Sequence, residues 1–386
     1  MIPPATNPDP NLAAAQQAFD DGRLQPALAA ARAASSLGDP ALRIDGLRLR
    51  ALAAFRLGEL DEAADAAQDL LAQLGDNALT YPSRVQVLSV SVVAAGELGR
   101  FDQALTHLQQ MLAVASRGGS LEDYVRARGT AAICFALLGD AWAGQRLLSE
   151  LLGLFQGLPA EVPLEWATRN NHAGVSLRIA RLARDGGDAP GCSEALDHAE
   201  ASLQRSAEIS RVARDAQQAA MADIHASELA LLRDQPAAAA AQLQTALAHP
   251  DMALLSPLVT LSRVMLAEAF NGSGEPGRAL ALVQDVNAGL REGHQLGLRI
   301  RCAQQLQRAC TATGADAQAL AHAARARQLE QALLYRQLHA QSRFLRMRLE
   351  LEHLYRYRAS TSRGVTSRPG NLTMPAPLDT AKGPSG

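Results

Sequence analysis

The sequence predicts an all-α protein, an extended array of stacked helical hairpins that ends in one long helix. Three observations predict it. Alanine and leucine fill most of an apolar fraction of 48% while aromatic residues make up only 4%, a balance that favours helices over sheets because Ala and Leu form helices best and aromatics favour strands. A short phrase of turn residues recurs along the chain at an interval near 40, and self-similarity at such an interval is the signature of a repeat architecture. Near the C-terminus, Leu320 to Arg358 contains neither Pro nor Gly, so one helix can run through it.

The phrase is a Gly-containing turn, a small residue five positions later and then an apolar helix. A first copy lies at Gly22 to Ala27. Clear copies follow at Gly58-Glu59-Leu60-Asp61-Glu62-Ala63, Gly99-Arg100-Phe101-Asp102-Gln103-Ala104 and Gly139-Asp140-Ala141-Trp142-Ala143-Gly144. Two more stand at Gly274 to Ala279 and Gly314 to Ala319, so the intervals between glycines are 41, 40 and 40. A weaker copy starts at Asp234 and reaches Ala239. Between Gly139 and Asp234 the spacing loosens around Asp185-Gly186-Gly187-Asp188, which leads to Ala195, and an ordered repeat and a break in the array both remain open there. Two antiparallel helices need a tight turn between them and a small residue where they cross. Leu70, Leu71, Met111, Leu112, Leu151 and Leu152 are expected to face the next unit, because one hairpin cannot bury its apolar face alone.

On these glycine, small and apolar positions, residues 11–319 resemble the tetratricopeptide repeat family. The resemblance implies a right-handed α-solenoid of about eight hairpins whose first helices line a concave surface. Two features depart from the family: the interval exceeds the usual length of about 34, and its Trp, Tyr and Pro positions are mostly filled otherwise.

In the long helix, Ala340, Phe344, Met347, Leu351 and Leu354 step by 4, 3, 4 and 3, a heptad seam; Leu329 and Leu333 precede it. Leu334, Leu338, Leu345 and Leu349 widen the apolar face. Two readings are open: a homodimer through 329–354, or a helix lying on the last repeats. The polar face carries Arg336, Arg343, Arg346, Arg348, Arg356 and Arg358. Residues Arg343 to Arg358, RFLRMRLELEHLYRYR, resemble the helical connector between tetratricopeptide arrays and output domains in bacterial signalling proteins such as diguanylate cyclases, although no GGDEF signature follows. Residues 1–10, with four prolines, and 359–386, rich in Ser, Thr, Gly and Pro, are expected to lack order.

Function classes are narrowed by what is missing. A net charge of −2 gives no bulk attraction for nucleic acid or anionic lipid, so the nucleic-acid reading suggested by Arg126, Arg178, Arg301 and Arg308 is disfavoured. Nearly every basic residue is Arg, Lys382 being the single lysine; a bias toward GC-rich coding accounts for this as simply as a need for bidentate contacts. Cys134, Cys192, Cys302 and Cys310 show no metal spacing and read as apolar residues of a reducing compartment. The start lacks a signal peptide pattern, and no apolar run reaches the roughly 18 residues of a membrane span; a cytoplasmic protein is expected. There is no GxxxxGK[ST], GxSxG or HExxH, His225, His294, His322 and His339 form no ligand spacing, and no cofactor or catalytic residue is expected.

Binding is therefore the expected activity: a non-catalytic scaffold or adaptor that holds a protein or peptide partner in its concave groove. The alternative is a sensory module of a bacterial signalling system whose output domain lies elsewhere. Aligned by their turns, the first helices place Arg48, Arg56, Arg126, Asn170, Asn171, Arg178, His225, Glu228, Glu268, Asn271, Arg301, Gln304 and Arg308 toward that groove. Asn170-Asn171 resembles the asparagines with which some tetratricopeptide repeats hold a ligand's backbone, since an amide both donates and accepts.

Overall fold

A computed structural model describes residues 10–74, 83–116, 120–155, 162–213, 216–248, 256–292 and 294–362. The expectations for residues 1–9 and 363–386 lie outside that range. The described residues form sixteen α-helices in eight consecutive hairpins: α1 (Pro10–Asp20) with α2 (Leu24–Ala34), α3 (Pro40–Leu57) with α4 (Leu60–Leu74), α5 (Arg84–Glu97) with α6 (Phe101–Ser116), and α7 (Leu121–Leu137) with α8 (Ala141–Phe155). Then follow α9 (Val162–Asp185) with α10 (Ala189–Ala213), α11 (Ala216–Leu232) with α12 (Pro236–Ala248), α13 (Ser256–Gly272) with α14 (Pro276–Gly289), and α15 (Leu296–Ala312) with α16 (Asp316–Ser362). The fold is an all-α solenoid.

Each turn is built the same way. Seven first helices end on a left-handed glycine: Gly22, Gly58, Gly99, Gly139, Gly187, Gly274 and Gly314; the sixth hairpin uses Asp234, at φ 54°. Behind Gly58, the amide of Glu59 donates to the Ala54 carbonyl at 2.9 Å and that of Gly58 to Phe55 at 3.1 Å, which satisfies carbonyls that the helix leaves open. Five positions on, the small residue sits at the helix crossing: Ala63, Ala104, Ala239 and Ala279 have no exposed surface. At Gly144 a methyl group would lie 2.5 Å from the Ala132 carbonyl oxygen, so α7 and α8 cross there too closely for any side chain. Leu70, Met111 and Leu151 are buried, while Leu71, Leu112 and Leu152 are half-buried.

The fifth hairpin is an ordered repeat. Its helices run 24 and 25 residues, longer than those of the preceding hairpins, which is why the turn interval loosens there. The last hairpin has no boundary near residue 320: α16 starts at Asp316 and continues as one helix of 47 residues to Ser362, past the expected end at Arg358.

Successive first helices touch one another along the inner face, and the array curves until α13 of the seventh hairpin meets α3 of the second. The long helix crosses this closure. Its Ala340, Phe344 and Met347 are buried in one cluster with Phe135, Leu138 and Met111, and Phe344 packs edge-on against Phe135, ring centroids 4.9 Å apart. The seam is not open through Met347, where the chain's own third and fourth hairpins cover it, while Leu334, Leu338, Leu345 and Leu349 on the wider apolar face stay exposed. The side chains of Leu351 and Leu354 lie outside the described residues. Nor does the helix lie on the last repeats alone, because the curvature brings an earlier part of the array beneath it.

The basic face of α16 takes part in the same contact. Arg336 donates to the Leu98 carbonyl at 2.9 Å and Gln337 to the Leu137 carbonyl at 2.7 Å. These carbonyls close the ends of α5 and α7, where helix dipoles favour a cation and backbone acceptors lack partners. Arg343 reaches the Asp102 carbonyl and the Thr106 hydroxyl, and Arg348 pairs with Asp140 at 2.5 Å.

Candidate functional site

Four successive first helices bring a closed square of charges to the inner face of the second half of the array. Arg181 on α9 pairs with Glu228 on α11 at 2.9 Å and with Glu268 on α13 at 3.1 Å. Arg301 on α15 pairs with the same two carboxylates, at 3.1 and 2.8 Å respectively. A bridge from α9 to α13, or from α11 to α15, skips a whole hairpin. Only the concave side of a tightly curved array allows that.

The repeat explains the arrangement. Arg181, Glu228 and Glu268 each stand six residues before the left-handed residue of their turn, Gly187, Asp234 and Gly274. Arg301 stands seven residues, or two helical turns, before Arg308, which holds that same register in the last hairpin. One position in three hairpins, and a position two helical turns farther from the turn in the fourth, thus project into one place.

The electrostatics follow from burial and pairing. Burial alone would raise the Glu268 carboxyl, but Arg301 and Arg181 outweigh it and hold it at about 2. Glu228 is shifted down against burial in the same way by Arg301 and Arg181. Two guanidinium groups and two carboxylates leave the square neutral. Next to it, burial drives the His225 imidazole down, partly offset by Glu228, so the ring is neutral at pH 7. Arg178 on α9 and Glu97 on α5 feel each other's charge across the inner face: burial pulls Arg178 down and pushes Glu97 up, and each partly offsets the other.

Three buried polar atoms beside the square have no hydrogen-bond partner: Nδ1 of His225, Oδ1 of Asn271 and Nη2 of Arg301. Asn271 donates its amide to the carbonyl and side chain of Gln305, at 3.2 and 3.1 Å, which leaves its oxygen open. Buried polar atoms in folded proteins are nearly always paired, so such a group needs an explanation.

Of the residues expected in the groove, the structure brings together Arg178, His225, Glu228, Glu268, Asn271 and Arg301. It disperses the others. Arg48 donates to Gln16 of α1 at 2.7 Å, and Arg56 stacks over Phe19. Arg126 pairs with Glu122 one turn back on its own helix. Asn170 is buried with its oxygen unpaired, and the Asn171 amide packs toward Gly129 of α7. Gln304 reaches Glu330 of α16 at 2.8 Å, and Arg308 is exposed. Arg181 and Glu97 were not anticipated. Arg181 shares the register of Glu228 and Glu268, a signal the sequence does contain; Glu97 is brought in by curvature alone.

His172 is bonded by serines at both ring nitrogens, Ser149 at 3.0 Å and Ser202 at 2.9 Å, and is buried and held at about 4 by burial first and by the nearby His198 and Arg169 second. It ties α8, α9 and α10 together. Among the described residues no helix is long and apolar enough to cross a membrane.

No protein-family model matches the sequence, and no curated protein matches it. Solved structures do resemble it. A Rap protein complexed with competence and sporulation factor matches over 84% of this chain and 98% of its own, at 11% identity and a TM-score of 0.52. A tetratricopeptide repeat protein from Parabacteroides merdae matches over 78% and 97%, at 15% identity and a TM-score of 0.44. At such identities a likeness speaks for fold alone, and the Rap match agrees with the eight hairpins described above: this chain is an all-α solenoid of stacked helical hairpins.

Proposed function

We propose that the protein is a non-catalytic scaffold that binds an extended peptide or protein segment along the inner face of its second half. The observation that supports this reading most is the set of buried, unpartnered polar atoms on His225, Asn271 and Arg301 at a neutral square of charges. These atoms are closed to solvent, so a peptide backbone supplies the donors and acceptors they lack only once neighbouring side chains shift to admit it. Because Arg181 and Arg301 are already neutralised by Glu228 and Glu268, the surface offers oriented hydrogen bonds rather than net charge, and binding should depend weakly on salt. The resemblance to a Rap protein solved in complex with another factor agrees with a binding role.

The test is selection of peptides from a displayed random library on the whole chain, followed by affinity measurement on a variant carrying Arg178→Ala and Asn271→Ala. Neither residue belongs to the square, so helical circular dichroism should be unchanged. Affinity should fall about tenfold or more, the cost of losing charged and neutral hydrogen bonds. Peptides that bind the variant as well as the parent would place recognition elsewhere.

A further inference from the structure

A second cleft, away from the inner-face square, lies where the curved array closes. Its volume is about 820 Å³, within the range of small-molecule sites. One wall is the α5–α6 turn, another the start of α15, and the third the first half of α16; a smaller lobe of 220 Å³ extends it toward Arg291. Four arginines line it: Arg100 at the α5–α6 turn, which is paired with Asp61 and Asp65, and three others, Arg299 of α15 and Arg325 and Arg336 of α16.

The partners of the latter three are all neutral. On the inner face, carboxylates separate arginines: Glu228 and Glu268 stand between Arg181 and Arg301. Here each of the three donates only to a neutral acceptor: Arg299 to the Glu292 carbonyl at 3.4 Å, Arg325 to Gln328 at 2.8 Å and Arg336 to the Leu98 carbonyl at 2.9 Å. None of the three forms an ion pair among the described residues. The acids that line the cleft do not serve them. Asp61 is taken by Arg100, Asp102 lies against His339, and Glu292 opposes Arg299 only at long range. The arginines instead repel one another: after burial, the charges of Arg325 and Arg336 push the Arg299 guanidinium down. A fold that gathers uncompensated like charges around a cleft has left room for the opposite charge.

We infer that this cleft is an anion site for a phosphate or diphosphate group, free or carried on a small organic molecule, gripped by Arg299, Arg325 and Arg336. A guanidinium presents paired donors that match phosphate oxygens, and several forks around one group suit a multiply charged anion better than a single carboxylate. Tyr335, exposed at the rim and stacked on His339, offers a face for an organic moiety. Because the cleft is walled by the third hairpin and the last, an anion bound there would also hold α16 against the third hairpin.

The test is calorimetric titration of the full chain with pyrophosphate at low ionic strength, matched against chloride, with Arg299→Gln and Arg325→Gln tested singly. The parent should bind, and each substitution should weaken binding about tenfold or more. Arg325 is exposed, so its loss leaves folding intact, and Arg299→Gln removes a repelled charge, so its unliganded melting temperature should hold or rise. Absence of binding to the parent overturns the inference, as does equal binding by parent and both variants. Adenosine diphosphate identifies the source of the group: if it binds more tightly than pyrophosphate and Tyr335→Ala abolishes the difference, the ligand is an organic phosphate, and equal affinities indicate the bare anion.

Discussion

Replacing Phe344 with Ala should release the far half of α16 from the third and fourth hairpins while leaving the eighth hairpin intact. Phe344 is 2% exposed and sits edge-on against Phe135 between Ala340 and Met347. Truncating a buried phenylalanine costs about 3–5 kcal/mol. The polar anchors of the same contact, from Arg336, Gln337, Arg343 and Arg348, are partly open to water and are each worth about 0.5–1.5 kcal/mol. The ring therefore outweighs any single anchor. Hydrogen exchange measured along α16 should show amides near 340–348 exchanging about 100-fold faster or more, since roughly 1.4 kcal/mol is one factor of ten. Amides near Ala326 and Leu329, buried toward α15, should change little. Leu338→Ala is the control, because Leu338 is 62% exposed. If the two variants exchanged alike, α16 would not be held by its aromatic contact and the reasoning would fail.

Stability should also fall in two stages on acidification. His172, held at about 4 against an ordinary 6.5, and His225 and His107, both shifted down by burial, are neutral in the fold and charged when unfolded, so stability is lost as pH falls below 6.5. Glu268, held at about 2 against 4.5, contributes stability that is present above pH 4.5 and is lost toward pH 2, on the order of 3 kcal/mol. Glu97, shifted up by burial, works in the opposite sense. Urea midpoints followed across acid pH check this: a flat profile below 6.5 would contradict the first stage, and an unchanged acid loss in Glu268→Gln the second. At the sixth turn, Asp234→Gly should stabilise the chain by about 1 kcal/mol, because a non-glycine residue at φ 54° bears a left-handed cost that glycine avoids. A lower melting temperature for that variant would show that the Asp234 side chain matters more than its backbone.

The hairpins were legible because their physics is local. A left-handed glycine such as Gly58 and a crossing residue such as Ala63 mark each turn whatever the rest of the chain does. The long fifth hairpin blurred the interval because α9 and α10 add helical turns that carry no punctuation. The docking of α16 was not legible. Arg336 and Gln337 look like an ordinary solvated face, and their partners are backbone carbonyls of Leu98 and Leu137, which no residue type announces. The same holds for the inner face. Arg181, Glu228 and Glu268 follow from register, whereas Arg178 opposite Glu97 depends on a curvature summed over several hairpins.

The reach of α16 bears on how the chain folds. In an open array each repeat needs only its neighbours, so folding can start anywhere and spread along the chain. The contact from Arg336 to Leu98 spans 238 residues, and that from Arg343 to Asp102 spans 241. Neither can form until most of the intervening hairpins are stacked in the right curvature. Docking of the last helix should therefore be a late step, completed after the repeats themselves, and it couples the first half of the array to the second, so that the two ends should unfold as one cooperative unit rather than fray independently.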